Sequence, residues 1–241
     1  MPDGIICPYP LGNYRGYYGY RNKGLEDSRL LLLPLELLKG KRILDVGCND
    51  GNLTVSVAAL FEPKFIQGID VDPILVDCAN RVVRERASML LGFPKSCIAN
   101  LGSLPISKDG SLAIFPHNVA FRCGDFVAEP IYDILLGFSV TKWIHLDGGD
   151  SALRLFFKKC FASLRRGGKL ILEPQPWSSY ISPKKSTYTG RMRKNLEAIE
   201  LFPKDFPEYL VKHIGFQSVS YLGTCSNDGS NFQRPLYLFT K

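Results

Sequence analysis

The chain has 241 residues, of which 45% are hydrophobic and 22% are charged, so we expect one soluble globular domain over residues 1–241. The seven cysteines form no C-x-x-C pair, and the first residues lack the basic-then-apolar pattern of a signal peptide. The most apolar run, 30–38, contains Pro34 and Glu36. These features argue against disulfides, a metal site and a membrane span, and favour reduced thiols in the nucleus or cytoplasm. Residues 1–150 carry 15 Lys/Arg against 17 Asp/Glu, whereas 151–241 carry 15 against 6, which suggests a polyanionic partner or merely solvated basic helix faces.

The first segment, 1–40, interleaves tyrosine and arginine. Residues 12–21 hold four tyrosines and two arginines, among them Tyr17 and Arg21. Tyr and Arg together suit contacts with phosphates and bases, although a Gly/Tyr-rich stretch is equally compatible with a disordered tail. The following residues 26–29 and the apolar run 30–38 favour a segment anchored over the ligand site of the domain.

The next segment has the pattern of a nucleotide-like ligand site. A predicted strand at 42–48 contains Asp45 and Gly47, and Gly51 precedes a predicted helix at 52–60. A second strand at 65–71 ends in Asp70, which is placed to bind ribose hydroxyls. The spacing lacks the third glycine of dinucleotide sites and resembles the first motif of S-adenosylmethionine-dependent methyltransferases. The alternative is a βα turn with glycines for geometry only.

Strand and helix patterns continue to alternate along the chain, which predicts an α/β fold with a mostly parallel sheet. The helix at 73–88 begins with Asp72 as N-cap, and the helix at 151–165 buries one aromatic face and is expected to end at Gly167-Gly168. Residues 89–117 are interpreted as a mobile surface insertion. The remaining strands are predicted at 119–126, 132–140, 169–175, 216–223 and 235–240, the last two as an antiparallel hairpin.

Three strand ends carry candidate ligand contacts, because parallel sheets bind ligands at their carboxyl edge. At the third strand, Asp125 and Phe126 are candidates for an adenine ring, with an ordinary turn as the alternative. After the fourth strand, Phe138, Lys142 and His145 face the position of a methyl donor. After the fifth, the loop at 173–180 offers Gln175 and two aromatic side chains for base stacking, Trp177 and Tyr180.

These segments resemble the methylphosphate capping enzyme family, the bicoid-interacting type of RNA 5′-phosphate methyltransferase. The resemblance implies a class I, Rossmann-like methyltransferase fold with a seven-stranded sheet. The matching words are Gly12-Asn-Tyr, Tyr17-Tyr-Gly-Tyr-Arg-Asn22, Leu44-Asp-Val-Gly-Cys-Asn49, Gly68-Ile-Asp70, Thr141-Lys-Trp-Ile-His145, Leu172-Glu-Pro-Gln-Pro-Trp-Ser-Ser-Tyr180 and Gln233-Arg-Pro-Leu-Tyr-Leu238.

The resemblance also implies site residues. Cofactor contacts with S-adenosyl-L-methionine fall on Arg29, Gly47, Asn49, Asp70, Val71, Asp125 and Phe126, to which Asp45, Gly51 and Phe138 are added from their positions in the turn and strand end. Substrate contacts fall on Tyr17, Arg21, Lys142, Gln175, Trp177 and Tyr180. We place Tyr17, Arg21, Lys142 and His145 in the catalytic group, with His145 orienting Lys142 or a phosphate oxygen.

The implied reaction transfers a methyl group to the 5′-terminal, γ-phosphate oxygen of a small RNA and leaves S-adenosyl-L-homocysteine. No catalytic metal is expected. Expected partners are small nuclear or other polymerase III RNAs and RNA-binding proteins, around a monomeric domain located in the nucleus or, alternatively, the cytoplasm. Three alternatives stay open: a 5′-monophosphate methyltransferase, a small-molecule or protein methyltransferase, and a largely non-catalytic RNA-binding scaffold.

Overall fold

The computed structural model describes residues 27–105, 114–125, 128, 131–181, 188–225 and 233–241. In chain order, its strands are β1 (Arg42–Val46), β2 (Phe65–Asp70), β3 (Val119–Cys123), β4 (Tyr132–Phe138), β5 (Leu164–Glu173), β6 (Ser218–Cys225) and β7 (Arg234–Thr240). Its α-helices are α1 (Leu35–Leu38), α2 (Asn52–Leu60), α3 (Pro73–Leu90), α4 (Lys95–Leu101), α5 (Thr141–Ser163), α6 (Trp177–Tyr180), α7 (Gly190–Glu197) and α8 (Phe206–Tyr209). Shorter 3₁₀ or π turns cover Ser28–Leu32, Pro203–Asp205 and Leu210–Ile214.

The seven strands form one sheet in the order β3-β2-β1-β4-β5-β7-β6. Strands β1 to β5 pair in parallel, whereas β7 is antiparallel to both β5 and β6. The predicted α/β class, the mostly parallel sheet and the antiparallel hairpin are therefore confirmed. Because parallel strands end at one edge, this topology brings the ends of β1, β2, β4 and β5 together.

Alternate side chains of the central strands enter two different cores, as the period of a strand requires. Leu44 and Leu135 pack with the aromatic face of α5, including Phe156 and Phe157. On the opposite face, Ile43, Ile66, Ile134 and Ile171 pack with α2 and with the apolar residues that precede β1. The sheet is thus covered on both faces, and its carboxyl edge stays available for a site.

A third group of apolar side chains lies beside this edge, and we call it the aromatic cluster. It joins the beginning of α5 to α6, α7 and the segment after α7. Its buried members are Leu146, Tyr180, Tyr188, Met192 and Ile199, and its partly buried members are Trp143, Trp177, Leu196 and Phe202.

Two helix predictions agree with the structure in their starting points. Helix α2 covers the predicted residues, and α3 begins after Asp72, whose Oδ1 accepts a hydrogen bond from the Ile74 N–H at 2.8 Å. Helix α3 continues to Leu90, and α4, which has no buried residue, forms within residues 89–117, whose interpretation as a mobile surface insertion stays a prediction. Residues 106–113 of that segment, like the tyrosine-rich part of 1–40, lie outside the described residues.

The helix predicted at 151–165 agrees with the part of α5 that follows the non-helical Gly149, except that it was predicted to end two residues too late, and the helical residues before Gly149 were not predicted. Helix α5 begins at Thr141, bends at Gly149, where φ is 67°, and ends at Ser163. The pair Gly167-Gly168 does not cap it. Instead the Gly167 N–H donates to the Lys241 carbonyl and the Lys241 N–H donates to the Gly168 carbonyl, both at 2.9 Å. The glycines therefore belong to the pairing at the beginning of β5, a long-range contact that the local pattern does not contain.

Candidate active site

The turn after β1 has the backbone of a ligand cradle. Gly47, Asn49 and Gly51 all have positive φ values, of 74°, 53° and 76°. A Cβ on Gly47 would lie 2.9 Å from Val140 Cγ2, and one on Gly51 would lie 2.6 Å from Ala79 Cβ. Neither position accepts a side chain without displacement of its neighbours, so both glycines are required by geometry as well as by backbone conformation.

Asp70 closes this turn from β2. Its Oδ2 accepts a hydrogen bond from the Asn49 N–H at 2.9 Å, and its Oδ1 accepts one from the Asp72 N–H at 3.0 Å. Burial raises the pKa of the Asp70 carboxyl, although the backbone hydrogen bonds oppose this shift. A carboxylate has about four acceptor positions, so these backbone bonds leave capacity for hydroxyl groups of a ligand. The structure therefore brings Asn49 and Asp70 into direct contact, in agreement with their common predicted site.

Asp45 lies beneath the turn. It is 2% exposed and accepts a hydrogen bond from Thr54 Oγ1 at 2.6 Å, which ties β1 to α2. Burial raises its pKa to about 6, against the opposing effects of the Thr54 bond and of the charge on Arg29. These contacts give Asp45 an internal structural role, and its contact with a cofactor stays a prediction.

Arg29 connects the segment before β1 to the ends of β4 and β5. It is fully buried, and its Nε and Nη2 donate to the Asp27 carboxylate at 2.8 and 2.6 Å. Its Nη1 lies 3.4 Å from Glu173 Oε2, and its guanidinium carbon lies 5.0 Å from the centroid of the Phe138 ring. Two residues predicted to contact the cofactor, Arg29 and Phe138, are therefore neighbours at the sheet edge.

The ends of β2 and β3 lie beside each other. Val71 is 47% exposed, and its carbonyl lies 3.7 Å from Cys123 Sγ. Asp125 is exposed and its Oδ2 lies 2.7 Å from Lys159 Nζ, so any bond to an adenine amino group would compete with this ion pair. Phe126 lies outside the described residues.

Lys142 occupies the first turn of α5 and is held inside the aromatic cluster. It is only 8% exposed, and its Nζ donates to the Ser179 carbonyl at 2.6 Å. The same Nζ lies 4.9, 5.9 and 5.5 Å from the ring centroids of Trp143, Tyr180 and Tyr188. Ser179 Oγ is buried and has no hydrogen-bond partner among the described residues. This environment is both cationic and rich in π-surfaces, which suits an anion attached to an aromatic base.

Gln175 is directed toward the protein interior. It is 3% exposed, and its Oε1 accepts hydrogen bonds from Thr141 Oγ1 at 3.1 Å and from the Lys142 N–H at 3.2 Å. Its Nε2 donates to the Ser139 carbonyl. Both ends of the amide are thus used within the protein, and direct contact of Gln175 with substrate stays a prediction.

His145 is fully buried, with both ring nitrogens near a polar partner. Its Nε2 lies 2.7 Å from Asp150 Oδ1, and its Nδ1 lies 3.4 Å from the Tyr180 hydroxyl. Burial lowers the pKa of His145, although Asp150 opposes this shift. The bend at Gly149 brings Asp150 back onto the histidine. These contacts give His145 an internal packing role, and its orientation of Lys142 or of a phosphate oxygen stays a prediction.

Trp177 and Tyr180 contribute differently to the aromatic cluster. Tyr180 is fully buried, and burial raises its pKa far above the ordinary value. Trp177 is half-buried, with its ring centroid 5.2 Å from that of Tyr180 and 4.8 Å from that of Phe202. Trp177 is therefore the more accessible of the two predicted stacking residues, and Tyr180 supports it from beneath.

Two predicted substrate residues, Tyr17 and Arg21, lie outside the described residues. Among the residues that are described, no cluster of three or more His, Cys, Asp and Glu side chains could hold a metal ion. None of the described helices is long and apolar enough to cross a membrane.

Comparison with known proteins identifies the family. Residues 132–241 match the family model described as Bicoid-interacting protein 3 (Bin3). The U6 snRNA methylphosphate capping enzyme Amus of Drosophila melanogaster is 36% identical over 97% of this chain and 75% of its own length. The chain belongs to the Bin3 family.

Two further relatives are also similar to the chain. The 7SK snRNA methylphosphate capping enzyme of Mus musculus is 38% identical over 97% of this chain and 41% of its own length. The pre-miRNA 5′-monophosphate methyltransferase of Xenopus laevis is 32% identical over 72% of this chain and 69% of its own length. The chain thus spans about two fifths of the length of the mouse relative.

Solved structures show the same fold at low identity. A SAM-dependent methyltransferase from Methanosarcina mazei superposes with a TM-score of 0.52 at 14% identity, covering 86% of this chain and 95% of that chain. The methyltransferase domain of bacterial CtHen1-C gives 0.52 at 19% identity, covering 88% and 94%. The predicted class I methyltransferase fold is confirmed.

Several residues of the site in this Bin3 family member were not predicted from the sequence. Tyr188 contributes a ring beside Lys142, and Ser139, Glu173 and Arg234 connect β4, β5 and β7 behind it. Glu173 and Arg234 lie inside the sequence motifs that carry the family resemblance. Their positions could therefore be recognised from the sequence, but their contacts could not. No local signal marks Tyr188.

Proposed function

We propose that the protein transfers a methyl group from S-adenosyl-L-methionine to a 5′-terminal phosphate oxygen of RNA, with the γ-phosphate of a triphosphate end as the preferred acceptor. The observation that carries this proposal is that one short segment, which follows β4, contributes to two sites at the sheet edge. Val140, which follows β4, forms the wall against Gly47, and Lys142 lies two residues further on in the aromatic cluster. A methyl-donor cradle and a buried cation are thus adjacent.

The residues around the turn after β1 fit this cofactor. Gly47 keeps the turn free of a side chain where it packs against Val140, and Asp70 offers acceptor positions for ribose hydroxyls. Bound there, S-adenosyl-L-methionine supplies an electrophilic methyl group on sulfur and leaves as S-adenosyl-L-homocysteine when the new O–CH₃ bond forms. Gly47, Asn49 and Asp70 hold the nucleoside and methionine portions in place.

The acceptor phosphate of the RNA has to be oriented by the protein but does not have to be deprotonated by it. A terminal phosphate oxygen is already anionic at neutral pH, so no general base is needed. Lys142 provides a charge-assisted donor that holds the phosphate, and Trp177 provides a surface for the first base. Fixing two reactants in line contributes roughly 7–11 kcal/mol to a reaction of this kind. We propose that Tyr17 and Arg21 complete the phosphate contacts from the N-terminal segment.

The names of the relatives support RNA as the substrate class. Two relatives are named methylphosphate capping enzymes of small nuclear RNAs, and one is named a 5′-monophosphate methyltransferase. On this basis we propose a small nuclear RNA as the natural substrate and the nucleus as the location. Imaging of the tagged full chain tests the location, and exclusion from the nucleus would contradict it.

The decisive experiment compares the 5′ end of a single RNA sequence. The full chain is incubated with methyl-labelled S-adenosyl-L-methionine and with RNAs bearing a triphosphate, a monophosphate or a hydroxyl at the 5′ end. We expect label on the 5′ phosphate of the triphosphate RNA and none on the hydroxyl RNA. Faster labelling of the monophosphate RNA would instead support the second candidate function, a 5′-monophosphate methyltransferase. Label on internal bases or riboses would overturn terminal phosphate methylation.

A further inference from the structure

Helix α5 begins without a side-chain cap of its own. Val140 occupies the N-cap position and has no hydroxyl, amide or carboxylate to accept a hydrogen bond. The first N–H groups of a helix need acceptors from elsewhere. Gln175, which follows β5, supplies one, because its Oε1 accepts from the Lys142 N–H and from Thr141 Oγ1. The beginning of the helix that carries Lys142 is therefore capped from the neighbouring strand end.

Ser139, between β4 and this cap, has an unusual backbone conformation. Its φ is 58°, in the left-handed region that a residue other than glycine occupies at some cost. Its N–H donates to the Glu173 carbonyl at 3.0 Å, and its carbonyl accepts from Gln175 Nε2. Its hydroxyl donates to Glu173 Oε2 and accepts from Arg234 Nη1, the latter at 2.6 Å. Three partners thus hold Ser139 in this conformation.

The partners of Ser139 are almost completely buried. Glu173 is 0% exposed, Gln175 is 3% exposed and Arg234 is 9% exposed. Polar groups at such depth are costly unless each has well-placed partners, and a satisfied network of this kind is rigid. This rigid unit fixes the course of the chain from β4 into α5, so it sets the direction in which both Val140 and Lys142 leave the sheet.

We propose that Gln175 is a positioning residue for methyl transfer, which acts by capping α5 and, through Ser139, fixes Lys142 relative to the Gly47 cradle. This inference rests on the proposed function, because it assumes that Lys142 holds the acceptor phosphate. Val140 contacts the cradle and Lys142 follows it after a single residue. One turn therefore determines the distance between the methyl donor and the acceptor, and a displacement of about 1 Å can cost about 100-fold in rate.

The first test replaces the amide without changing the length of the side chain. In Gln175→Met, we expect kcat on triphosphate RNA, per folded molecule, to fall about 10- to 100-fold. The dissociation constant for S-adenosyl-L-methionine should stay within about twofold, because the turn after β1 is unchanged. The matched control is Asn118→Leu, which removes a buried amide that donates to the Ala58 and Pro63 carbonyls. That control should lower the melting temperature and leave kcat unchanged.

A second variant keeps the inference testable if Gln175→Met does not fold. Ser139→Gly retains access to the positive φ but loses the hydroxyl that joins Glu173 and Arg234. We expect kcat to fall about tenfold, with unchanged cofactor affinity. A wild-type kcat per folded molecule in Gln175→Met, or in Ser139→Gly where the first variant is unfolded, would overturn the inference.

Amide hydrogen exchange provides a readout that is independent of RNA chemistry. If Gln175 caps α5, peptides that cover 141–146 should exchange at least about tenfold faster in Gln175→Met than in the wild type, with α3 unchanged. Equal exchange in both proteins would refute the capping role. A wild-type enzyme that labels no RNA phosphate would instead contradict the proposed function, and the two failures are thereby distinguished.

Discussion

The two turns at the carboxyl edge of the sheet are built in different ways. The turn after β1 is formed by the backbone, with Gly47 and Gly51 excluding side chains and Asp70 accepting an N–H from the turn itself. The turn after β4 is formed by side chains from other parts of the chain, with Gln175 and Arg234 bonded to it. One fold can carry many functions, because function depends on the side chains placed on it rather than on its backbone alone. We expect substitutions at the turn after β1 to affect cofactor binding, and substitutions at the turn after β4 to affect methyl transfer.

The largest expected effect is on the rate of methyl transfer and results from a substitution just after β4. Under the proposed function, Lys142→Met keeps an aliphatic stem among the three rings and removes the charge, so kcat on triphosphate RNA should fall about 100-fold or more. Cofactor affinity, measured by calorimetry, should change little. Lys64→Met, which removes an exposed lysine before β2, serves as the control. Activity of Lys142→Met within a few-fold of the wild type would contradict the role of Lys142.

The next effect concerns the free energy of unfolding and results from the buried Asp45, which lies below the turn after β1. The pKa of Asp45 is raised by burial from its ordinary 3.8 to about 6, so the folded state favours the protonated form. The resulting stabilisation is fully present below about pH 4 and is lost as the pH rises through about 6, a change of about 3 kcal/mol. Asp45→Asn does not titrate. Urea unfolding of both proteins at pH 4 and pH 7 should therefore show the wild type losing about 2 kcal/mol relative to the variant, because part of the effect is already lost at pH 4. If the free energy of unfolding changes equally with pH in the wild type and in Asp45→Asn, the pKa of Asp45 is not raised.

A smaller effect is expected on cofactor affinity when the Asp70 carboxylate at the turn after β1 is replaced. Asp70→Asn places an amide against the Asn49 N–H and removes the charge, so the affinity for S-adenosyl-L-methionine should fall about 10- to 100-fold, equivalent to about 1.5–3 kcal/mol. Asp77→Asn, an exposed position on α3, is the matched control. If calorimetry gives equal affinities for all three proteins, Asp70 does not bind the cofactor.

The smallest effect concerns the first base of the RNA. Trp177→Leu should weaken binding of the 5′ end by about 1–3 kcal/mol without changing cofactor affinity. Phe202→Leu removes the ring that packs edge-on against Trp177 and leaves the tryptophan itself. We expect this control to retain most of the RNA affinity, as measured by fluorescence titration. Equal losses in both variants would assign the effect to packing of the aromatic cluster.

The sequence was informative to different degrees for the two turns. Gly47, Gly51 and Asp70 were recognised because the chemistry of the backbone turn lies within short stretches of chain. The beginning of α5 at Thr141 was not, because its cap comes from Gln175, which stands after the next strand. Gln175 and His145 were assigned to substrate and phosphate, whereas the structure directs both toward internal partners. Lys142 was singled out from its place after the fourth predicted strand and then from the family resemblance, but its contacts with Ser179 and Tyr188 come from distant parts of the chain.

The position of β7 has a consequence for the order of assembly. This strand is inserted between β5 and β6, and its first residue, Arg234, reaches Ser139 at the other end of the network. During synthesis, β1 and β2 therefore leave the ribosome long before Arg234, the residue that completes the turn after β4. Contacts between such distant parts of a chain form slowly because a large loop must close first. A nascent chain that lacks β7 would already contain the residues of the cofactor turn while its turn after β4 lacked Arg234, so the two halves of the site mature at different times.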